Sequence, residues 1–322
     1  MQRPIFKDFA NLWTAVCLSD RVRRNRPLSL TIAGERLVLF RGEDGSPHAL
    51  VDRCPHRGVA LSLGSVKDGV ITCPFHGWQF NASGRCLHVP WNPDAKLDLL
   101  SAMGLTVQEA GGIIWLYTGK EPKADLKEPA ILLRSDVRVT AQSFLWQVHW
   151  TRVMENMLDA PHLPFVHAKT IGKHLQSRSA SNMEMVWTPT GYGADITTLR
   201  PGEPPKTNLR FHFPNAMEMV VDPRGKIFRL LAVCTPARPG ETQLTIYTLR
   251  SFAKARILDG LFARMNARIA AEDQAIVESS QPPEVPPANE EQSVGSDAPT
   301  LAFRKIWFSQ IHGSVAAHIS ER

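Results

Sequence analysis

The amino-acid sequence predicts an α+β protein in which two domains follow one another along the chain. Short apolar runs separated by glycine-containing turns fill residues 9–50, which is typical of antiparallel β-strands. Strand-like alternation returns in the second half of the chain, and a helical pattern follows it from about Phe252 to Ser280. The charged, proline-bearing segment from Lys120 to Pro129 separates the two regions. We therefore expect one domain at residues 1–125 and a second at residues 126–322.

Apolar runs and turns alternate through the first domain. The runs are Leu12 to Cys17, Leu28 to Ile32, Leu37 to Phe40 and Ala49 to Val51. Gly34-Glu35 and residues 42–47 lie between runs and predict turns. Residues 111–117 form another apolar run, which predicts a buried strand at the end of an all-β domain.

The composition is that of a globular protein with a mild basic excess. Hydrophobic residues make up 43% of the chain, and 37 Lys+Arg against 31 Asp+Glu leave a net charge of +6. The arginines cluster only at residues 21–26 and have no aromatic residues between them, so we expect no nucleic-acid partner. No apolar run has the length of a membrane span, and the N-terminus does not resemble a signal peptide. Five cysteines, an odd number, favour a reducing compartment, and we expect a cytoplasmic protein.

Two short loops in the first domain repeat the same chemistry. Cys54-x-His56 and Cys73-x-x-His76 each offer one thiolate and one imidazole, and sixteen residues separate them. Zinc is an alternative, because two cysteines and two histidines bind it tetrahedrally. Zinc fingers, however, group the two cysteines together, whereas here each loop mixes the two residue types. The arrangement favours a Rieske [2Fe–2S] cluster, in which two histidines replace two cysteines on one iron.

A second polar group lies in an apolar stretch of the second domain. Asp159 and His162 are three residues apart, so on a helix they would share one face. Pro164 would kink that helix and let the chain bring His167 back beside His162. Two imidazoles and a carboxylate form the facial triad of non-haem Fe(II) oxygenases. The alternative is a capped helix with surface histidines.

The predicted helix from Phe252 to Ser280 must supply the carboxylate. Asp273 lies on an apolar stripe with Ile269, Ile276 and Val277, and a buried aspartate is costly unless it is paired or binds a metal. Glu272 instead has Arg268 one turn earlier, which is the spacing of an exposed ion pair. We therefore expect Asp273 to be the ligand and Glu272 to be dispensable. The alternative for Asp273 is a carboxylate at the edge of the helix.

Three further segments of the second domain carry expectations. His212 alternates with Phe211 and Phe213, and we expect it to be exposed if the two phenylalanines face the core. Residues 282–299 are rich in proline and acidic residues, which predicts a mobile lid or a solvated linker. Residues 300–308 are apolar and should pack back onto the core.

The order of these motifs resembles the terminal oxygenase α subunits of the Rieske non-haem iron oxygenase family, over nearly the whole chain. The matching residues are Cys54-x-His56, Cys73-x-x-His76 and Asn156-x-x-Asp159-x-x-His162-x-x-x-x-His167. The resemblance is greatest to short homomeric members such as vanillate and dicamba demethylases. It implies a β Rieske module followed by a helix-grip domain, an antiparallel sheet curled round long helices.

The resemblance also implies roles for the polar residues. His162, His167 and Asp273 would hold a mononuclear Fe(II), and Asn156 would lie near it. Asp159 would link a ligand histidine to a Rieske histidine of the neighbouring subunit in a head-to-tail trimer, although spacing alone also allows a ligand or a hydrogen-bonding role. Electron transfer within one subunit is the alternative.

The function that follows is a terminal oxygenase that uses O2 to hydroxylate or oxidatively demethylate a small organic substrate, as a monooxygenase or a dioxygenase. The sequence has no G-x-G-x-x-G turn for NAD or flavin and no plant-type ferredoxin segment, so electrons must come from a separate NAD(P)H-dependent reductase or ferredoxin. One alternative is a Rieske electron carrier with a non-catalytic ligand-binding domain. Another is a zinc-binding interaction module.

Overall fold

The computed structural model describes residues 5–173 and 182–312, and the chain divides into two compact units, Met1–Glu128 and Pro129–Arg322. The division falls inside the charged, proline-bearing segment. Among the described residues, no helix has both the length and the apolar character that crossing a bilayer requires.

The first unit consists of three antiparallel sheets, with strand orders β1-β11-β10, β2-β3-β4-β9 and β5-β6-β7-β8. The strands are β1 Trp13–Leu18, β2 Leu28–Ile32, β3 Glu35–Arg41, β4 Pro47–Val51, β5 Ser65–Lys67, β6 Val70–Thr72, β7 Gln79–Phe80, β8 Cys86–His88, β9 Gly104–Leu105, β10 Val107–Ala110 and β11 Ile113–Tyr117. β2 and β3 are joined by Ala33 and Gly34, both at positive φ (48° and 81°). Such a two-residue turn matches the twist of the strands that it joins.

The core of the first unit encloses the two predicted ligand cysteines. Phe40, Leu50, Ile71 and Phe80 are fully buried, and Cys54 and Cys73 belong to the same cluster. The Cys54 loop follows β4, and the Cys73 loop connects β6 to β7. The strands therefore position both loops.

The second unit is one seven-stranded antiparallel sheet with helices packed against it. The order is β12-β18-β17-β16-β15-β14-β13. The strands are β12 Arg138–Trp146, β13 Glu184–Thr190, β14 Gly193–Leu199, β15 Lys206–His212, β16 Ala216–Val220, β17 Phe228–Arg238 and β18 Glu241–Arg250; the helices are α1 Trp150–Leu158, α2 Leu163–Val166, α3 Asp259–Val277 and α4 Ala298–Ile306. Buried aromatic rings join sheet to helix, such as Phe211 of β15 against Phe303 of α4. The predicted α+β class is confirmed.

Helix α3 begins at Asp259, later than the predicted start at Phe252. The Asp259 carboxylate accepts hydrogen bonds from Arg138 and Arg250, which hold its pKa at about 2. A carboxylate in the first turn also interacts favourably with the helix dipole. Ala253 has a positive φ (48°), which breaks a helical path from Phe252, and a 3-10 turn at Arg256–Leu258 leads into α3.

The segment at residues 282–299 is packed in part against two helices, which differs from the expected solvated linker. Val285 is buried, and its backbone N–H donates to Thr151 in α1. Glu291 accepts hydrogen bonds from Arg152 of α1 (2.7 Å) and from Arg304 of α4. These two guanidinium groups hold the pKa of Glu291 at about 2. Glu291, itself partly exposed, thus ties the proline-rich segment to two helices through ion pairs with two buried arginines.

His212 is also placed differently from the expectation. It is 6% exposed, and its Nε2 lies 2.9 Å from Oε2 of Glu218 on the neighbouring strand. Only Phe211 faces the core, whereas Phe213, just beyond the end of β15, is 41% exposed. The alternation predicted the side of the strand correctly, but it could not show that Glu218 and Arg229 form a buried polar layer there.

Candidate metal centres

The two Cys/His loops of the first unit have matching backbone geometry. The Cys54 N–H donates to the Val59 carbonyl, and the Cys73 N–H donates to the Trp78 carbonyl, both at 2.8 Å. Each loop then turns at a glycine with positive φ, 73° at Gly58 and 71° at Gly77. Residues other than glycine rarely adopt a backbone conformation with positive φ. This explains why a glycine follows each histidine by one or two residues.

The side chains of the loops separate into a buried and an outer pair. Cys54 and Cys73 are each 2% exposed, while the His56 and His76 rings lie nearer the surface with centroids 4.6 Å apart. Trp78 stacks on His56 in parallel at 4.7 Å. Burial and the neighbouring His76 lower the pKa of His56, which favours the neutral ring that binds metals.

The donor set fits a [2Fe–2S] cluster of the Rieske type. Burial raises the pKa of Cys54 to about 11, so without a metal this thiol keeps its proton inside the protein core. Iron would replace the proton and compensate the buried negative charge. Two buried thiols beneath two adjacent imidazoles match one all-cysteine iron and one all-histidine iron. The four ligand assignments stay predictions.

In the second unit, the break in the chain between the two histidines lies elsewhere than predicted. Helix α1 ends at Leu158, and Asp159 is already extended (φ −91°, ψ 117°). Asp159 and His162 therefore do not share a helix face. Pro164 lies in the first turn of α2, where a missing N–H costs nothing, rather than at a kink. His162 precedes this short helix and His167 follows it, and their ring centroids lie 5.3 Å apart.

The two histidines meet Asp273 of α3 in a tight group. Oδ1 of Asp273 lies 3.1 Å from Nε2 of His167 and 3.5 Å from Nε2 of His162. One ligand atom from each of the three residues lies within 4.8 Å of the others. Asp273 is 4% exposed, on the buried face of α3 with Ala270 and Val277; Ile276, predicted on the same stripe, is 56% exposed.

This group fits a divalent metal. Oδ1 of Asp273 is buried and has no hydrogen-bond partner within residues 5–173 and 182–312. A buried carboxylate with an unsatisfied oxygen is costly unless a cation compensates it. Two imidazoles and one carboxylate on one side of a metal leave coordination positions free, as in the facial triad of non-haem Fe(II) sites.

Glu272 contradicts the expectation that it forms only an exposed ion pair. Its Oε2 accepts hydrogen bonds from Nδ1 of His167 (2.8 Å) and from the Thr170 hydroxyl (2.6 Å), whereas Arg268 is 3.6 Å away. Burial alone would raise the pKa of Glu272, but these two hydrogen bonds outweigh it and lower the pKa. Burial likewise tends to lower the pKa of His167, and Asp273 with Glu272 outweighs it and raises the pKa.

Glu272 is thus a candidate site residue that the sequence pattern misassigned. By accepting a hydrogen bond from Nδ1–H, Glu272 would fix the tautomer of His167 and direct Nε2 towards the metal position. No pattern in the sequence marks Thr170, three residues after His167, as a partner of Glu272. The spacing of Arg268 and Glu272 on one helix gives no sign of a partner that lies 105 residues away in the chain.

Asp159 lies beside the group without joining it, and Asn156 lies three residues earlier in the last turn of α1. Oδ2 of Asp159 is 3.8 Å from Nδ1 of His162, too far for a hydrogen bond, and the side chain is 36% exposed. Nδ1 of His162 and Nδ2 of Asn156 are buried, and in the described part of the chain neither has a hydrogen-bond partner. Asp159 therefore lies on the Nδ1 side of His162, opposite to the metal position.

Each of the two units matches a known protein-family model. Residues 12–101 match the model of the Rieske [2Fe-2S] domain, and residues 146–227 match that of the vanillate O-demethylase oxygenase C-terminal domain. The chain is 27% identical over 299 residues to chlorophyllide a oxygenase, chloroplastic, of Chlamydomonas reinhardtii (84% of this chain, 43% of the relative). It is 30% identical over 169 residues to the vanillate O-demethylase oxygenase subunit of a Pseudomonas species (51% and 46%).

Solved structures show the same fold. NdmA of Pseudomonas putida CBB5 superposes with a TM-score of 0.78 at 22% identity, over 96% of this chain and 92% of that one. Dicamba monooxygenase bound to dicamba also gives 0.78, at 21% identity, over 98% and 100%. The chain spans about half or less of the length of the curated relatives it matches. With a Rieske domain followed by this type of oxygenase C-terminal domain, the chain belongs to the Rieske oxygenases.

Proposed function

We propose that this chain is the terminal oxygenase of a multicomponent system that hydroxylates or oxidatively demethylates a small organic substrate. The observation that carries the proposal is the convergence of His162, His167 and Asp273 on one point in the unit without the Cys/His loops. An electron carrier needs only the cluster and has no use for this second donor set. The relatives include an oxygenase subunit of vanillate O-demethylase, which supports the proposal.

The chain's residues would divide the work between the two sites. Cys54, His56, Cys73 and His76 would hold the cluster, and His162, His167 and Asp273 would hold the iron. When bound, the two groups would supply one-electron transfer and the reductive activation of O2. Glu272 would keep His167 in the tautomer that binds metal, and the buried surroundings of Asp273 would keep bulk water from the reacting atoms.

Oxygen consumption tests this proposal directly. The purified protein, supplied with NADH and a surrogate reductase, should consume O2 when a substrate is present, and the product should carry an oxygen atom from ¹⁸O2 or lack a methyl group. Asp273→Ala should abolish this reaction and leave the cluster spectrum unchanged. Oxidation of the cluster without any product in a broad screen of aromatic ethers and amines would favour the electron carrier instead.

We also propose that the functional unit is a head-to-tail trimer served by a separate reductase or ferredoxin. His76 is exposed, and Phe75, which packs on its ring at 3.9 Å, is 60% exposed; an apolar ring at this position suits burial against a second copy. Asp159 is exposed enough for one oxygen to reach a neighbour while the other approaches His162. Its carboxylate would then join a cluster histidine of one copy to an iron ligand of the next.

Subunit mixing tests the path between copies. A chain with Asp159→Ala keeps its cluster, and a chain with His76→Ala keeps its Asp159. Each variant alone should be inactive, whereas co-expression should restore part of the turnover if electrons cross between copies. No recovery in mixed oligomers, with both chains present by mass spectrometry, would place the path within one chain. Light scattering during gel filtration gives the number of copies.

A further inference from the structure

The buried face of α3 carries a second polar side chain besides Asp273. Asn266 is 3% exposed and lies seven residues, or two helical turns, before Asp273 on the same face. Two turns correspond to about 10 Å along the helix axis. Nδ2 of Asn266 donates a hydrogen bond to the Thr248 hydroxyl (2.7 Å), which orients the carboxamide. Its Oδ1 is buried and has no hydrogen-bond partner in the described chain.

A second carboxamide faces α3 from the sheet. Gln142 of β12 pairs with Ile246, and Thr140 pairs with Thr248. Paired residues of antiparallel strands point to one face, and so do residues two apart on a strand. Since Thr248 contacts Asn266, Gln142 also faces α3. Oε1 of Gln142 is buried and, counting the residues the structure describes, has no hydrogen-bond partner either.

The course of α3 places Gln142 between Asn266 and Asp273. Arg138, at the start of β12, binds Asp259 at the start of α3, and Gln274 near the end of α3 donates to the Leu145 carbonyl (3.3 Å). Helix and strand therefore run in the same direction. Along the axis of α3, which provides the metal-binding carboxylate Asp273, Oδ1 of Asn266 therefore comes first and Oε1 of Gln142 next. Both acceptors are unpaired in the described residues.

The surroundings favour a neutral ligand that donates hydrogen bonds. Ile246 and Leu244 line the same face of β18 and are 8% and 0% exposed. Arg250, further along β18 beside the start of α3, is a cation that shares the Asp259 carboxylate with Arg138, and its Nε donates to the Ala253 carbonyl. Acceptors in an apolar surround bind O–H or N–H groups and repel carboxylates.

We propose that the carboxamide oxygens of Asn266 and Gln142 bind a hydroxyl or N–H group of the organic substrate and so select neutral donors over anions. This inference rests on the proposed function and deepens it. The distance along α3 suits a compound of one ring, with its donor group at one end and the group to be oxidised at the metal end. A buried acceptor without a partner is costly, and a substrate donor would remove that cost at the moment of binding.

Calorimetric binding of three probes to the iron-loaded protein, without reductase, tests the inference. The probes are 4-methoxyphenol, 1,4-dimethoxybenzene, which lacks the donor, and the anion 4-methoxybenzoate. Wild type should bind 4-methoxyphenol about five- to tenfold more tightly than 1,4-dimethoxybenzene, as expected for one buried neutral hydrogen bond, and 4-methoxybenzoate most weakly. Asn266→Leu should remove this preference, so that the ratio of the affinities for 4-methoxyphenol and 1,4-dimethoxybenzene falls to about one. Asn289→Leu, at an exposed position, is the matched control.

Several results would overturn the inference. These are equal affinity of wild type for the two neutral probes, tightest binding of 4-methoxybenzoate, or binding of no probe at all. If Asn266→Leu unfolds, Gln142→Met gives a second variant of similar size, and retention of the full preference in that variant would count against the inference. Because the assay measures binding alone, a clear preference in a protein that never consumes O2 would contradict the proposed oxygenase while supporting this site.

Discussion

Replacing Glu272 tests how the structure orients His167. Glu272→Ala removes the acceptor for Nδ1 of His167 and for the Thr170 hydroxyl, at 2.8 and 2.6 Å. Loss of such a supporting carboxylate weakens metal binding by about 10- to 100-fold, or about 1.4–2.7 kcal/mol. Glu272→Gln keeps an oxygen acceptor and loses only the charge, so its loss should be smaller. The cluster, in the other unit, should keep its full absorption.

Arg268→Ala provides the matched control on the same helix. Its guanidinium is 3.6 Å from Glu272 and its side chain is 63% exposed, so the pair contributes at most about 0.5 kcal/mol. Iron affinity of each variant can be measured by titrating Fe(II) into the iron-depleted, cluster-containing protein under anaerobic conditions. Full affinity in Glu272→Ala, or equal losses in Glu272→Ala and Arg268→Ala, would refute the orienting role.

Three further outcomes are expected. Asp159→Asn should leave both metal sites filled and slow single-turnover reoxidation of the cluster severely; loss of the mononuclear iron would instead make Asp159 a ligand. His76→Cys should keep two irons and lower the reduction potential, because thiolate donates more electron density than imidazole, and an unchanged potential in a redox titration would contradict the assignment. The pKa of Glu291 falls from 4.5 to about 2 in the folded protein, so its ion pairs stabilise the fold above about pH 4.5 and that stabilisation is lost as the pH falls towards 2. Glu291→Gln should lower the free energy of unfolding at pH 7 by about 1–2 kcal/mol, since solvent screens a side chain that is 32% exposed, and the difference should shrink in acid.

Local sequence patterns predict the structure correctly where a single stretch of chain determines it. Strands β1 to β4, β11 and β15 to β18 follow from apolar runs, alternation and turn residues, and Asp273 stands out because an aspartate on a buried helix face needs a partner. The Cys/His loops could be recognised because each carries its ligands and its glycine within six residues.

Contacts between distant segments decided what the patterns could not. Glu272 looked like half of an exposed ion pair because Arg268 is near in sequence, whereas its partners His167 and Thr170 come from another helix and the loop after it. The polar composition of residues 282–299 predicts a solvated segment. In the structure, however, Arg152 of α1 and Arg304 of α4 donate hydrogen bonds to Glu291 and hold it against these helices. The helix break was placed at Pro164 rather than after Leu158, because proline is equally at home in a first helical turn.

The central claim is that one chain holds a Rieske cluster and a separate mononuclear iron. Iron and acid-labile sulfide, measured per chain in wild type and in Asp273→Ala, test it most directly. The account predicts about three irons and about two sulfides in wild type, and about two of each in the variant, with the visible spectrum unchanged. Zinc in place of iron in wild type, or about two irons in both proteins, would contradict it.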